Sequence, residues 1–216
     1  MPAGATCGKE ASEMEYITLG KEAEVSFTEK KSVFIGNAKP VKTEEEAIEF
    51  INKIRKKYAD AKHNTYAYML ANGSARYSDD GEPQGTAGVP ILNVIKKGGF
   101  TDAVIVVTRY FGGILLGTGG LVRAYGASAK DAVTAAEVVT YLQYTECEIS
   151  CSYSDYQKII PLAESFEAKT DDTAFAEGVT LRLAIKSDRF EAFCEKLSET
   201  YGGKVEAKRI GERFSY

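Results

Sequence analysis

The nine residues DAVIVVTRY, from Asp102 to Tyr110, constrain the fold of this chain more than any other segment. Apolar, mostly β-branched residues follow one another from Ala103 to Val107 with no polar alternation. A continuous run of this kind is typical of a strand that is buried on both faces of its sheet. The sequence therefore predicts that this segment is the central strand around which its domain is built.

The residues before this strand predict further strands and helices. Residues 22–41 alternate polar and apolar on both sides of a break at 29–31, which is typical of a β-hairpin. Thr43 is placed to cap a helix, with Glu46 as its capping-box partner. The remaining predicted elements of this half are strands over 64–70 and 75–78, joined at Asn72-Gly73, and helices over 86–97 and 121–136.

The second half predicts the element order βαββαβ. Its predicted elements are a strand over 145–152, a helix over 155–168, strands over 173–176 and 179–185, a helix over 188–201 and a strand over 204–210. A ferredoxin-like sandwich, with two helices on one face of an antiparallel sheet, has this order. We therefore expect an α+β protein with a flexible leader at 1–15, an N-terminal domain at 16–138 and a ferredoxin-like domain at 139–216.

Composition limits the classes of function. With 216 residues, 44% hydrophobic and 27% charged, the chain has enough apolar material for a core, and it has no apolar stretch of the length that spans a bilayer. We expect a soluble, cytoplasmic protein that does not act on a membrane. The formal charge is −4, and residues 137–216 carry 15 acidic and 10 basic side chains, so a whole-surface attraction to nucleic acid is not indicated.

Cysteine and histidine usage argues against several kinds of site. The four cysteines Cys7, Cys147, Cys151 and Cys194 include no C-x-x-C pair, which argues against a disulfide framework and against a zinc site. His63 is the only histidine, so a site that needs two histidine ligands is excluded. We predict no metal and no cofactor.

An acidic segment follows the second predicted strand pair. Its candidate residues are Asp79, Asp80, Gly81, Glu82, Pro83, Gly85 and Thr86. Three interpretations stay open: the carboxylates cap the helix that begins near Thr86, they recognise a partner or ligand, or they hold a divalent cation for catalysis.

A glycine-rich segment follows the central strand. Its candidate residues, with those of the predicted helix after it, are Arg109, Tyr110, Phe111, Gly112, Gly113, Gly117, Gly119, Gly120, Arg123 and Tyr125. Free backbone N–H groups before a helix attract phosphate or carboxylate, and the two arginines would add bidentate contacts. The alternative is that the glycines permit positive φ angles and a close approach of helix and strand.

Other polar and aromatic residues have a structural interpretation beside the functional one. A single histidine before an apolar strand, such as His63, is more typical of a hydrogen-bonded structural residue than of a general base. Lys130 is interpreted as a solvated charge. Aromatic residues such as Tyr66 and Tyr68 are interpreted as core residues, although stacking on bases is the alternative.

The runs AKHNTYAYML, YSDDGEPQGTAGVPIL and VIVVTRYFGGILLGTGGLVRAYGASAK resemble the YigZ/IMPACT family in order and spacing, over about residues 18–136. The resemblance implies an N-terminal domain with the fold of domain IV of elongation factor G, shared with several ribosomal proteins, followed by a ferredoxin-like domain. It implies that the signature positions in the two candidate segments carry over, with no catalytic role assigned to any of them. For eukaryotic members it implies translational control, through binding the activator of a stress-responsive initiation-factor kinase.

Two functions remain open. The first is a non-catalytic binding protein in the regulation of translation or the stress response, which contacts the ribosome, RNA or a translation-linked protein through the face of Arg109 and Arg123. The second is an enzyme on a phosphorylated or carboxylated small molecule. It would use the loop from Asp79 to Glu82 for chemistry and the Gly117–Gly120 helix start to hold the anion.

Overall fold

The computed structural model describes residues 15–216. Contacts divide them into an N-terminal unit, Ile17–Thr140, and a C-terminal unit, Tyr141–Tyr216 together with Glu15 and Tyr16. Both units combine helices with an antiparallel sheet, which confirms the mixed helix and strand class. Residues 1–14 of the predicted leader, with Cys7, lie outside the described residues, and Glu15 begins the first strand.

The strands are β1 (Glu15–Leu19), β2 (Ala23–Glu29), β3 (Ser32–Pro40), β4 (His63–Met69), β5 (Ala75–Ser78), β6 (Ala103–Tyr110), β7 (Val138–Cys151), β8 (Lys169–Phe175), β9 (Val179–Lys186) and β10 (Ala207–Ser215). The helices are α1 (Glu44–Lys57), α2 (Gly88–Gly98), α3 (Gly117–Ala136), α4 (Tyr153–Ser165) and α5 (Phe190–Tyr201), with a short 3-10 helix at Ser187–Arg189. No described helix has both the length and the apolar character that crossing a membrane requires.

Strand β6 lies at the centre of the N-terminal sheet, as predicted. The strand order is β2-β3-β6-β4-β5, and each pair of neighbouring strands is antiparallel. Ile105 and Val107 pack in one core with α2 and α3, whereas Val104 and Val106 pack in another with α1. Successive side chains of a strand point to opposite faces, so helices cover both faces of β6. Burying each of these side chains contributes about 1.5–3 kcal/mol.

Helix α1 has the predicted cap. The Thr43 Oγ1 accepts a hydrogen bond from the Glu46 N–H (3.2 Å), and the Glu46 carboxylate accepts one from the Lys42 N–H (2.6 Å). Thr43 thus satisfies an N–H group of the first helical turn. Glu46 instead accepts from the residue before the N-cap, so the predicted capping box is formed only in part.

Helix α3 begins four residues earlier than predicted. We expected a glycine-rich loop up to Gly120 and a helix over 121–136, but the helix begins at Gly117. Glycine has a low helix propensity, which placed the predicted start too late. Tertiary packing of the residues from Leu121 to Ala136 supports the extra turn, so the glycines become part of the helix start.

The C-terminal unit has the predicted βαββαβ order. Its strands lie in the order β8-β9-β7-β10 with every pair antiparallel, the split βαβ arrangement, and β1 joins the same sheet beside β7. Ile149, Leu183, Ile159 and Phe193 share one core, so α4 and α5 cover one face of the sheet. The other face carries ion pairs, such as that of Arg213 with Glu146 (3.0 Å).

Several predicted bounds in this half are wrong. Strand β7 spans 138–151, whereas the predicted strand covered only 145–152. Strand β10 spans 207–215 rather than 204–210, and β8 begins at Lys169 rather than at 173. Strand β1 was not predicted. These strands carry many exposed polar residues, so their alternation is weak and backbone pairing decides where they end.

Candidate functional site

Asp79 caps helix α2 from the preceding loop. Its Oδ1 accepts hydrogen bonds from the N–H groups of Ala87 (3.0 Å) and Gly88 (2.8 Å), and its Oδ2 accepts one from Gly85 (2.8 Å). Partial burial opposes ionisation, but the three donors stabilise the carboxylate and lower the pKa of Asp79. Of the three interpretations of the acidic segment, helix capping is the one that Asp79 supports.

Asp80 holds the loop against β4 and α1. Its φ angle is +43°, in the left-handed region that Asp tolerates better than most residues. Its Oδ2 accepts a hydrogen bond from the Asn64 N–H (2.7 Å), and its Oδ1 lies 3.4 Å from Nη2 of Arg55. The carbonyl oxygen of Asp80 accepts a hydrogen bond from Nδ1 of His63 (2.8 Å). A carbonyl oxygen only accepts, so Nδ1 carries a proton, in agreement with the structural interpretation of His63.

Glu82 is the centre of a buried polar cluster. Its Oε1 accepts hydrogen bonds from Nη1 of Arg109 (2.6 Å) and the hydroxyl of Tyr125 (2.7 Å), and it lies 3.8 Å from Nε2 of His63. The side chain of Glu82 is only 4% exposed and that of Arg109 only 7%. Burial, followed by the Glu82 charge, raises the pKa of Tyr125 well above its usual value. The ion pair belongs to the core, although both segments that supply it were predicted as candidate sites.

The register of the sheet assembles this cluster. Arg109 on β6 is paired with His63 on β4 at one side and with Phe34 on β3 at the other. Its guanidinium carbon lies 5.6 Å from the ring centroid of Phe34 and 5.4 Å from that of Phe111. Phe111 is half-exposed, so one aromatic ring is held at the surface against a buried cation.

A cleft of about 410 Å³ opens beside the cluster. It is lined by Lys62, His63, Gly81, Glu82, Pro83, Arg109, Phe111, Leu115, Leu116, Gly117, Thr118 and Leu121. The acidic loop, the end of the central strand and the start of α3 therefore meet in one concave surface, although they are far apart in the sequence.

The start of α3 lies at one side of this cleft and carries no side-chain cap. The N-cap residue Leu116 makes no capping hydrogen bond, and the first turn contains no acidic residue. The first four N–H groups of a helix have no partner within the helix. Gly117 has a φ of +72°, and a Cβ at Gly119 would come no closer than 3.6 Å to Arg123. Gly117, Thr118 and Gly119 are all exposed.

Gly112 holds the adjoining loop against the β2–β3 turn. A Cβ built there would lie 2.0 Å from the carbonyl carbon and oxygen of Lys31, a distance that no substituent can occupy. Its N–H also donates to Oγ of Ser32 (3.2 Å). Close approach therefore explains Gly112, whereas Gly113 has a φ of +84° with open space around it.

A smaller trough of about 210 Å³ lies on the other side of the α3 start. It is lined by Phe27, Glu29, Lys30, Leu116, Gly120, Arg123, Ala124 and Ala127. Leu116 lines both the cleft and the trough, so the two concavities flank the same uncapped helix start.

Comparison with known proteins shows which family this chain belongs to. Residues 30–133 match the Impact N-terminal domain, and residues 149–204 match a domain of unknown function (DUF1949). The chain is 37% identical over 195 residues to the IMPACT family member YvyE of Bacillus subtilis, covering 89% of this chain and 90% of that protein. The chain belongs to the IMPACT family.

Other IMPACT proteins are similar over different shares of the chain. YigZ of Escherichia coli is 33% identical over 85% of this chain and 92% of its own length. The IMPACT homolog of Dictyostelium discoideum is 43% identical over 98 residues, covering 43% of this chain and 28% of that protein. A crystal structure of a hypothetical protein matches with a TM-score of 0.58 and 31% identity, covering 92% of this chain and 98% of that one.

Some predicted site residues of this IMPACT protein lie outside the cleft and the trough. The Tyr110 hydroxyl donates to Oδ1 of Asp60 (2.7 Å), and this hydrogen bond raises the pKa of Tyr110 to about 12. The Thr86 hydroxyl donates to the Pro83 carbonyl (2.6 Å) and closes the loop. Tyr68 is buried against α1, as the core interpretation predicted.

The structure adds residues that the sequence interpretation missed. Lys62, Leu115 and Thr118 line the cleft, and Lys30 lines the trough. Lys30 belonged to the break of the predicted hairpin, and its charge there was the available signal. In residues 15–216 no group of three or more His, Cys, Asp or Glu side chains is arranged to hold a metal ion.

Proposed function

We propose that the N-terminal unit binds single-stranded RNA, with a backbone phosphate seated on the start of α3. The observation that carries this proposal is what converges on one helix start: N–H groups and basic side chains that have no partner among residues 15–216, and a surface aromatic ring. Proteins that bind single strands combine these features, since a cationic groove follows the backbone and aromatic rings stack on bases.

The electrostatics favour an anion at this point. The N–H groups of the first turn and the helix dipole both place partial positive charge there. The exposed side chains of Lys30, Lys31, Lys62 and Arg123 lie around the cleft, the trough and the adjoining turn, and none makes an ion pair with a residue in the described range. Arg109 does not contribute a free charge, because Glu82 neutralises it.

Phe111 supplies the stacking surface. Phe111 is 51% exposed, and its ring packs against the Arg109 guanidinium, which holds the ring in its orientation. Stacking of a base on an aromatic side chain contributes about 1–3 kcal/mol per base and tolerates any sequence. This position therefore suits recognition without sequence specificity.

We propose that the RNA bound at this surface is ribosomal RNA. Membership of the IMPACT family supports a role in translation, since the family resemblance implies an N-terminal domain with the fold of domain IV of elongation factor G. The alternative of an enzyme receives less support, because the carboxylates proposed for catalysis already have partners: Asp79 caps α2, and Glu82 binds Arg109 and Tyr125.

Binding can be tested by fluorescence anisotropy with an RNA of about 12 nucleotides, within the usual site size, and by co-sedimentation with ribosomes, each across a salt series. We expect the triple variant Lys31→Glu/Lys62→Glu/Arg123→Glu to bind at least about tenfold more weakly than the unmodified protein. All three side chains are exposed, so we expect the variant to fold, which its circular dichroism spectrum would check. Arg109→Glu is unsuitable, because it would place two carboxylates together in the core.

Lys56→Glu is the matched control, since Lys56 is an exposed lysine of α1 that lines neither concavity. If the triple variant and this control bound RNA with equal affinity, the proposed surface would not be the RNA-binding surface. Binding to the RNA but not to ribosomes would retain the site and reject the ribosomal target. No binding to either at low salt would reject the proposal as a whole.

A further inference from the structure

A third concavity of the N-terminal unit, the α2–α3 groove, lies between these two helices. Its volume is about 600 Å³, and it shares no lining residue with the cleft or the trough. Sites for small molecules usually have volumes of 300–1,000 Å³ and are mostly apolar with a few polar groups. The groove therefore has the size of a ligand site that the proposed RNA surface does not use.

The walls of the groove are apolar. Pro90 and Val94 on α2, Val122 and Val133 on α3 and the adjacent Val138 line it. Val122 is 41% exposed and Val138 is 46% exposed, so apolar side chains face solvent along its length. Covering this apolar surface with a hydrocarbon chain would be favourable.

Gly126 provides the open space in the groove. It lies within α3, where glycine is less favourable for helix formation than alanine, and a Cβ built there would meet no atom within 4 Å. Neither a positive φ nor a close approach of backbone accounts for this glycine. Its missing side chain leaves a volume that the fold itself does not fill.

The charge of the groove is entirely positive. Lys97 on α2 and Lys130 on α3 line it, with Asn93 and Thr134 as neutral polar groups and no acidic residue. Neither lysine makes an ion pair with any residue between 15 and 216. A ligand that complements the groove therefore has an apolar body and an anionic end.

We propose that the α2–α3 groove binds an unbranched aliphatic carboxylate, a ligand of the fatty-acid class. The hydrocarbon chain lies along the valines and over Gly126, and the carboxylate accepts hydrogen bonds from Lys97 and Lys130. A nucleotide suits the groove less well, because Phe100, the aromatic residue of its lining, is buried and offers no face for stacking.

Titration of ¹⁵N-labelled protein with decanoate, below its micellar concentration and followed by amide chemical shifts, tests this proposal. We expect shifts concentrated in α2 and α3, and at least about tenfold weaker binding to Gly126→Leu, whose side chain fills the groove. Leucine has a higher helix propensity than glycine, so this variant is expected to fold. Val122→Glu provides a second block at an exposed position.

The charge requirement has its own controls. Lys97→Glu/Lys130→Glu should weaken decanoate binding, whereas Lys96→Glu, at the exposed neighbour outside the lining, should not. Decanol, with the same chain and no charge, should bind more weakly than decanoate. Equal binding of decanol would overturn the anionic part of the assignment. An absence of shifts in α2 and α3, or undiminished binding by folded Gly126→Leu and Val122→Glu, would overturn the site.

Discussion

At the scale of single residues, the three carboxylates of the acidic loop have three different surroundings. Asp79 accepts three backbone hydrogen bonds, Asp80 bridges the loop to β4 and α1, and Glu82 neutralises a buried arginine. Three carboxylates within four consecutive positions thus stabilise one loop conformation. This loop in turn places Gly81 and Pro83 at the cleft.

Glu82→Gln should destabilise the protein strongly. The substitution removes the charge that compensates Arg109 and leaves a buried cation, a change that usually costs about 3–5 kcal/mol. Urea unfolding at neutral pH measures the effect. In the double variant Glu82→Gln/Arg109→Met the cost should be smaller than the sum of the single costs, because the unpaired charge is gone. A cost below about 1 kcal/mol for Glu82→Gln alone would contradict the buried ion pair.

Asp79 should contribute stability that depends on pH. Its pKa is lower in the folded than in the unfolded state, so its contribution is present above the unfolded pKa and is lost as the pH falls through the folded pKa. Asp79→Asn should therefore cost about 0.5–2 kcal/mol at pH 7, in the range of helix caps, and less in acid. Urea unfolding of both proteins between neutral and acidic pH checks this. A difference that does not change with pH would argue against an ionised cap.

At the scale of elements, the glycines in and just before α3 have two different roles: some allow a close approach of backbone, and others leave open space. Gly112, just before the helix, lets the loop touch the backbone of Lys31. Gly117 and Gly119 leave the N–H groups of the first turn accessible, and Gly126 leaves space in the α2–α3 groove. A close backbone approach requires glycine at position 112, whereas none requires it at position 126.

Two alanine substitutions should therefore change stability in opposite directions. Gly112→Ala should destabilise the protein by about 2 kcal/mol or more, because the loop has to move away from Lys31. Gly126→Ala should stabilise it by up to about 1 kcal/mol, the difference in helix propensity between the two residues. Thermal unfolding of both variants measures this contrast. Stabilisation by Gly112→Ala would show that the close approach is not required.

At the scale of the whole molecule, the two units differ in charge. On the C-terminal sheet, basic side chains are neutralised by acidic partners, as Arg213 is by Asp171. Residues 137–216 nevertheless keep an excess of acidic side chains. The exposed basic side chains around the α3 start, unlike the buried Arg109, make no ion pair with any described residue. A net charge of −4 thus coexists with a local positive surface, and the RNA binding that we propose depends on that surface.

The salt dependence of RNA binding should reflect the few phosphates that this surface contacts. Each lysine or arginine that contacts a phosphate adds about one to the slope of log affinity against log salt concentration. Lys62→Glu and Arg123→Glu should each reduce this slope by about one, and Lys56→Glu should leave it unchanged. Anisotropy titrations between low and physiological salt provide the slopes. Identical slopes for all variants would mean that phosphates are contacted elsewhere.

Local patterns in the sequence determined most of the elements of this IMPACT protein. The uninterrupted apolar run predicted β6 as the central strand, Thr43 and Glu46 predicted the start of α1, and the βαββαβ order predicted the C-terminal sheet. These signals depend on neighbours in the chain, so the sequence alone carries them. The bounds of β8 and β10 and the start of α3 were missed, since packing and strand pairing decide them.

Only the tertiary structure decided which residues meet at the candidate site. The register of β4 and β6 places His63 opposite Arg109, and the loop carries Glu82 to the same point, so a predicted ligand-binding arginine is instead a buried partner of that carboxylate. Lys30 lies in the turn between β2 and β3 and Lys62 just before β4, so they reach the two concavities from separate connecting segments. A sequence pattern records spacing along the chain, whereas burial and charge pairing depend on contacts between distant segments that form only when the sheet closes around its core.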